Sequence, residues 1–121
     1  MADTVDLQDP VVGAGLLLAV GLVVYGAVVS DTIAGLEATV AATWVFAVTF
    51  AVLAGIHANV GQYDLALGHG GAAVGWLFVL LGTSGLQSVL GLVLLVLSGS
   101  YIAIRTVRRR GDASEDPPEA A

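Results

Sequence analysis

Two histidines, His57 and His69, flank the most polar internal segment of the chain, which also contains Asn59, Gln62 and Asp64. A neutral imidazole can ligate a metal ion or a haem iron, and its charge changes near neutral pH. A carboxylate such as that of Asp64 can add a ligand or orient an imidazole. If the two histidines lie on neighbouring antiparallel helices, they reach similar depths. We therefore predict His57 and His69 as candidate cofactor-binding residues.

The same two histidines also suit a structural role, because a histidine at a membrane interface can hydrogen-bond headgroups, water or a loop carbonyl. A pH-responsive role and a haem or metal site are alternatives to this structural role. The spacing of His57 and His69 matches no specific metal-ligand motif, so no metal site and no bound cofactor are predicted. A helical row of Phe46, Phe50, Leu53 and His57 could form one wall of a pocket, although such rows usually serve packing.

Catalytic motifs are missing from the sequence. It has no G-x-S-x-G, no H-E-x-x-H and no P-loop, and we predict no catalytic residues and no enzymatic activity. Cysteine is absent, which excludes disulfides and thiolate chemistry. Lysine is absent too, which excludes Schiff-base chemistry.

The composition predicts that these polar residues are held in a membrane. Hydrophobic residues make up 57% and charged residues 12%, against about 25% charged residues in a soluble domain. Such a chain cannot cover a water-facing surface, so a lipid bilayer is its expected partner. With no lysine, acidic loops and spans rich in valine, alanine and glycine, the composition resembles that of membrane proteins of extremely halophilic archaea and points to no specific family.

Three charge-free runs position the spans: residues 10–30, 38–63 and 65–104. Each of the first two can hold the roughly 20 apolar residues that cross a bilayer. As one helix the third would measure about 60 Å, twice the hydrocarbon thickness. It is therefore divided at the turn-forming residues 82–85. We predict an all-α integral membrane bundle of four transmembrane helices, with spans at about 11–29, 39–60, 67–82 and 86–106.

The basic residues of the chain lie together directly after the charge-free run 65–104, at the end of the last span: Arg105, Arg108, Arg109 and Arg110. Cytoplasmic flanks of spanning helices carry the Lys/Arg excess, and moving an arginine through the bilayer core costs about 2.5 to 3.5 kcal/mol. We interpret the cluster as a topology signal that makes both termini of a multi-pass cell-membrane protein cytoplasmic. A nucleic-acid partner is not expected, since phosphate binding needs a broad basic face.

The two ends of the chain differ in character from the spans. Residues 1–9 form an acidic N-terminal tail before the transmembrane domain of residues 10–106. Because no basic region precedes the first span, we expect that span to be retained and not cleaved as a signal peptide. Residues 107–121 are basic and then acidic, and contain too little apolar surface to offset the entropy of ordering. We predict that this C-terminal tail is disordered.

Small residues on the spans predict how the helices pack, because close backbone approach drives helix association in lipid. The second span carries a row of Ala47, Ala51 and Gly55, and the third carries Gly71 and Gly75. A short loop joins these two spans, so we predict that they pack together through these rows. Residues 99 and 103 are a further candidate for packing or for a homo-oligomer seam.

The predicted function is that of a non-enzymatic accessory or structural subunit, packing as a homo-oligomer or within a larger membrane complex. A small oligomeric transporter or channel is one alternative. The size resembles that of the small multidrug resistance family, whose exchange relies on a glutamate in the first span; residues 16–29 contain none. It also resembles fluoride-channel-type dual-topology dimers, but the arginine bias indicates one orientation. The other alternative is a redox subunit that holds haem with His57 and His69.

Overall fold

The computed structural model describes residues 4–115 of the chain, with side chains from Leu7 onward. It contains four helices, α1 (Thr4–Val28), α2 (Ala38–Asn59), α3 (Tyr63–Leu80) and α4 (Gly85–Glu115). A short antiparallel pair, β1 (Thr32–Ile33) and β2 (Leu36–Glu37), connects α1 to α2. The prediction of an all-helical chain is confirmed apart from this two-residue ladder.

Three of the helices are long and apolar enough to cross a membrane: Leu7–Val28 within α1, the whole of α2, and α4. This supports the predicted class of membrane protein. The third helix is shorter, with 18 residues, and measures about 27 Å along its axis. The charge-free run 65–104 contains all but the first two residues of α3 and the first part of α4, so it spans two helices and not one.

Helices α1 and α4 both extend beyond the expected spans. Helix α1 begins at Thr4, inside the predicted acidic tail 1–9, and includes Pro10. Helix α4 continues to Glu115, where the sequence predicts a disordered tail from residue 107. Residues 107–115 are therefore helical and not disordered as predicted. Adding residues to the end of an existing helix avoids the cost of nucleating a new helix, and arginine has a high helix propensity. Residues 116–121 of the predicted tail lie outside the described residues.

The connection between α1 and α2 is a tight hairpin. Ala34 has φ 51° and Gly35 has φ 84°, and positive φ at both central residues is the signature of a type I′ turn. The flanking pairs are Thr32 with Glu37 and Ile33 with Leu36. Helix α2 therefore begins directly where the ladder ends, and α1 and α2 are held antiparallel.

The helices pack in chain order, α1 on α2, α2 on α3 and α3 on α4, so α1 and α4 are the outer helices of an open bundle. The backbones of α3 and α4 approach closely at two glycines. A Cβ added to Gly91 would lie 2.8 Å from the carbonyl oxygen of Gly75, and a Cβ on Gly75 would lie 2.9 Å from Cγ of Leu95. Only glycine permits such an approach without displacement of the neighbouring helix.

The predicted packing rows are distributed differently from our expectation. Gly71 and Gly75 both face α4 and not α2, and Gly71 lies against Ser98. On α2, Ala47 is buried, whereas Ala51 and Gly55 are exposed. Helix α3 carries small residues on two faces, and α2 packs against the other one, where Gly70 meets Ala54. Spacing along one helix cannot show which neighbour a small-residue row will meet.

Candidate functional site

The two predicted histidines meet in the structure. The rings of His57 on α2 and His69 on α3 are stacked, with centroids 4.8 Å apart and an interplanar angle of 23°. Only 1% of His57 and 4% of His69 is exposed. A short connection after Asn59 joins the two helices, so residues near that connection lie side by side in the antiparallel pair.

The end of α2 is built to place Gln62 beside His57. Gly61 has φ 76°, which glycine adopts without steric cost. The N–H of Gln62 donates to the carbonyl oxygen of His57 at 2.9 Å, and the N–H of Gly61 donates to that of Ala58 at 3.1 Å. These two bonds form a Schellman motif. The motif turns the chain back so that the Gln62 side chain reaches the imidazole.

Each histidine is held by a hydrogen bond at Nδ1. Nδ1 of His57 lies 2.8 Å from Oε1 of Gln62, and Nδ1 of His69 lies 2.8 Å from the carbonyl oxygen of Leu65. The backbone carbonyl oxygen of Leu65 only accepts hydrogen bonds, so Nδ1 of His69 carries the hydrogen and its neutral ring has its lone pair on Nε2. With the Gln62 amide assigned so that Oε1 faces His57, His57 has the same tautomer. Nε2 of His57 is buried and has no hydrogen-bond partner among the described residues.

A polar cleft of about 400 Å³ opens beside these rings, and we call it the histidine cleft. All four helices, or the segments next to them, contribute to its walls. Its lining includes Gln8, Asp9, His57, His69, Thr106 and Arg110. The histidines therefore stand at the end of the molecule where α1 begins and α4 finishes, and the cleft connects them to the surface there.

Asp64 does not orient an imidazole, contrary to one of our expectations; it pairs with arginines. Arg109 on α4 donates to both of its carboxylate oxygens, at 2.9 and 3.1 Å, and Nε of Arg105 lies 3.9 Å from Oδ2. The hydrogen bond from Arg109 holds the pKa of Asp64 below its usual value, although burial acts in the opposite direction. The sequence-based interpretation missed this pair, in which Arg109 ties α4 to the start of α3.

The other three arginines lie at the same end of the molecule. The guanidinium of Arg105 lies over the ring of Tyr101, 5.4 Å from its centroid, and its Nε donates to the tyrosine hydroxyl at 3.3 Å. Arg110 lines the histidine cleft. Arg108 is exposed. The arginine cluster thus contributes to side-chain contacts at this end of the molecule, besides any role in topology.

The aromatic row on α2 forms packing contacts. The ring of Phe46 stacks on that of Trp76 with centroids 5.5 Å apart, and Phe50 lies 6.0 Å from the ring of His69. Leu53 is 3% exposed. These side chains pack in the interface between α2 and α3, next to the histidines. They therefore do not form the wall of an open pocket.

The arrangement does not fit a haem held by both histidines. Two axial imidazoles must bind the iron from opposite faces of the macrocycle. His57 and His69 are stacked on each other at 4.8 Å, and no macrocycle can enter between rings in direct contact. Within residues 4–115, no group of three or more His, Cys, Asp or Glu side chains is placed to hold a metal ion.

A second, larger groove lies between α1 and α2 and is almost entirely apolar. Its lining includes Gly15, Trp44 and Thr49. The hydroxyl of Thr49 already donates to the carbonyl oxygen of Val45 at 2.7 Å. This groove offers little chemistry for recognising a polar ligand, so the histidine cleft is the better candidate site.

Comparison of the chain with models of protein families, with curated proteins and with solved structures finds no match.

Proposed function

We propose that the chain is a multi-pass membrane protein with four spans and both termini in the cytoplasm, and that it acts as a non-enzymatic subunit of a helical membrane assembly. Its partner is a second copy or the helices of a larger complex. The observation that carries this proposal is the position of two small-residue rows. Ala51 and Gly55 on α2, and Gly99 and Ala103 on α4, lie on exposed faces.

The internal glycines support this interpretation by contrast. Gly68, Gly71 and Gly75 on α3 all lie against side chains of α4, so this chain uses small residues where helices approach closely. A Cβ added to Gly55 or Gly99 would meet nothing within 4 Å. In lipid, helix association depends on such close approach, and a small residue on an outer face provides a groove for another helix.

The proposed number of spans is supported by the length of α3. The proposed orientation is supported by the positions of the two outer helix ends and by the arginines. Helix α3 is short, but its length of about 27 Å approaches the roughly 30 Å of the hydrocarbon core. The start of α1 and the end of α4 line the same cleft, so they lie at one end of the molecule. The arginines at that end favour the cytoplasmic side.

Single-cysteine crosslinking tests the association directly, because the natural chain has no cysteine. If the partner is a second copy, Gly55→Cys or Gly99→Cys should form a disulfide-linked dimer in native membranes. Leu97→Cys is the matched control, because Leu97 is exposed but lies on another side of α4. Equal crosslinking at Leu97 would indicate random collision and contradict a seam at residue 99.

If the partner is another protein, purification in mild detergent should recover the same partner repeatedly, and Gly55→Leu or Gly99→Leu should release it. A monomer in every preparation, together with no specific crosslink, would overturn the subunit proposal. The haem alternative has no support from the stacked histidines, and a Soret band lost in His57→Ala would contradict that conclusion. No described contact favours the transporter alternative.

A further inference from the structure

The histidine pair has the features of a metal-binding site before the metal binds. Imidazoles that ligate metals usually donate their second nitrogen to a carboxylate or a carbonyl oxygen, which fixes the tautomer and the ring orientation. His57 donates to the amide oxygen of Gln62, and His69 donates to the backbone oxygen of Leu65, both at 2.8 Å. Both rings are thus held with the ligating nitrogen, Nε2, unprotonated.

A second observation concerns the other ring nitrogen of His57. His57 is only 1% exposed, and it lines the histidine cleft. Its Nε2 atom is buried and has no hydrogen-bond partner among the described residues. An unpaired buried acceptor costs about 1–3 kcal/mol. Packing alone does not account for that cost, because a leucine or phenylalanine would fill the same space without it. A group that accepts the lone pair would remove the penalty.

The tautomers decide which class of ligand fits. Unprotonated Nε2 atoms repel an anion through their lone pairs, whereas they suit a Lewis acid. We propose that the histidine cleft binds one divalent transition-metal ion of the nitrogen-preferring kind, with Cu²⁺ bound most tightly, through Nε2 of His57 and Nε2 of His69. This proposal does not depend on the subunit function, because both ligands are buried within one chain.

Bridging by one ion requires the rings to turn out of their stacked arrangement until the two Nε2 atoms can reach the same metal. Metal–imidazole bonds measure about 2.0–2.1 Å, so one ion can join nitrogens up to about 4 Å apart. The rings are already in contact, with centroids 4.8 Å apart. No third His, Cys, Asp or Glu joins them within residues 4–115. Water from the cleft therefore fills the other coordination positions, which suits the tetragonal nitrogen and oxygen coordination of Cu²⁺.

The cleft also supplies a path for the ion. It is open to the surface at the end of α4, where its lining includes Asp9, Arg109 and Arg110. Arg109 is paired with Asp64, so the charges of Asp9 and Arg110 face each other at the mouth. Affinity for nitrogen ligands rises along the divalent series to Cu²⁺ and falls again at Zn²⁺. We expect Cu²⁺ to bind more tightly than Ni²⁺ or Zn²⁺, and Mg²⁺ not to bind.

Titration of the purified full-length protein with Cu²⁺, after treatment with a chelator, tests the proposal. The natural protein should bind one ion per chain, and the electron paramagnetic resonance spectrum should show coupling to imidazole nitrogen. His57→Ala and His69→Ala should each weaken binding by more than about tenfold. Binding that is unchanged in both variants would place the ion elsewhere, for example on the acidic residues of the tails, and would overturn the proposal.

A second variant keeps the test valid if a histidine variant does not fold. Gln62→Leu retains both ligands and removes the group that orients His57, so it should weaken Cu²⁺ binding by about tenfold. Gln87→Leu, at the start of α4, is the matched control and should bind as the natural protein does. Absence of saturable binding and of nitrogen coupling in the natural protein would overturn the proposal regardless of the variants. Crosslinking at Gly55 and Gly99 should not change in either case, so failure of one proposal is distinguishable from failure of the other.

Discussion

Arg109, near the end of α4, donates hydrogen bonds from one guanidinium nitrogen to both carboxylate oxygens of Asp64 at the start of α3, at 2.9 and 3.1 Å. The two residues are 45 positions apart in the chain. Their contact holds the extended end of α4 beside the connection that carries Gln62. A residue that reads as part of a topology signal therefore also helps to build the wall of the histidine cleft.

Acidification should weaken this contact. The folded pKa of Asp64 is below its usual value because of the hydrogen bond from Arg109. The carboxylate thus stabilises the folded protein above the ordinary value of about 3.9, and the contribution is lost as the pH falls toward the folded pKa. Thermal unfolding between pH 7 and pH 3 should show this loss in the natural protein but not in Asp64→Asn.

Asp31→Asn, in the hairpin between α1 and α2, is the control for that experiment and should retain the pH dependence due to Asp64. Added salt should also reduce the difference between the natural protein and Asp64→Asn at pH 7, because the partners are partly exposed. Identical pH profiles of the natural protein and Asp64→Asn would show that the ion pair does not contribute to stability.

Gly91→Ala should loosen the packing of α3 against α4. Its Cβ would lie 2.8 Å from the backbone oxygen of Gly75, which cannot move without shifting the helix. We expect a loss of about 1–3 kcal/mol in the free energy of unfolding, measured by denaturant titration with circular dichroism in detergent. Gly21→Ala is the control, because its Cβ would meet nothing within 4 Å. It should be neutral or stabilising by up to about 1 kcal/mol; equal losses in both variants would contradict the close approach.

Gly61→Ala should disturb the turn that presents Gln62 to His57. Gly61 has φ 76°, and a Cβ in this left-handed region costs about 1–2 kcal/mol. Gly61→Asn should recover part of the loss, because asparagine tolerates this conformation better than alanine. Thermal unfolding of the two variants measures the difference. If alanine is as stable as glycine at this position, the turn does not have the conformation described above.

The proposed orientation predicts the behaviour of topology reporters. A reporter fused after Arg110 should be active only if it requires the cytoplasm, because the arginines anchor that end inside. A reporter inserted beside Gly35, in the turn between β1 and β2, should be active only if it requires the outside. If both reporters show the opposite location, the orientation of the protein is the reverse of the proposed one. If both reporters lie on the same side, the number of spans between Gly35 and Arg110 is even, which contradicts the three proposed here.

Much of the candidate site was accessible from the sequence, because His57 and His69 are the two histidines of the chain and lie close to a short connection. The residues that orient them were not. Gln62 reaches His57 through a turn that depends on the positive φ of Gly61, and the partner of His69 is a backbone oxygen. A glycine followed by a polar residue at the end of α2 was the available signal for Gln62.

Hydropathy by itself determined that the chain is helical and suited to a membrane, and that residues 65–104 contain two helices, because these properties depend on the local composition of each segment. Only the tertiary structure decided which faces meet. It placed Gly71 and Gly75 against α4, exposed Gly55, and paired Asp64 with Arg109. Helix rotation and neighbour choice depend on the sum of many weak contacts between distant segments, and no pattern within one helix contains that sum.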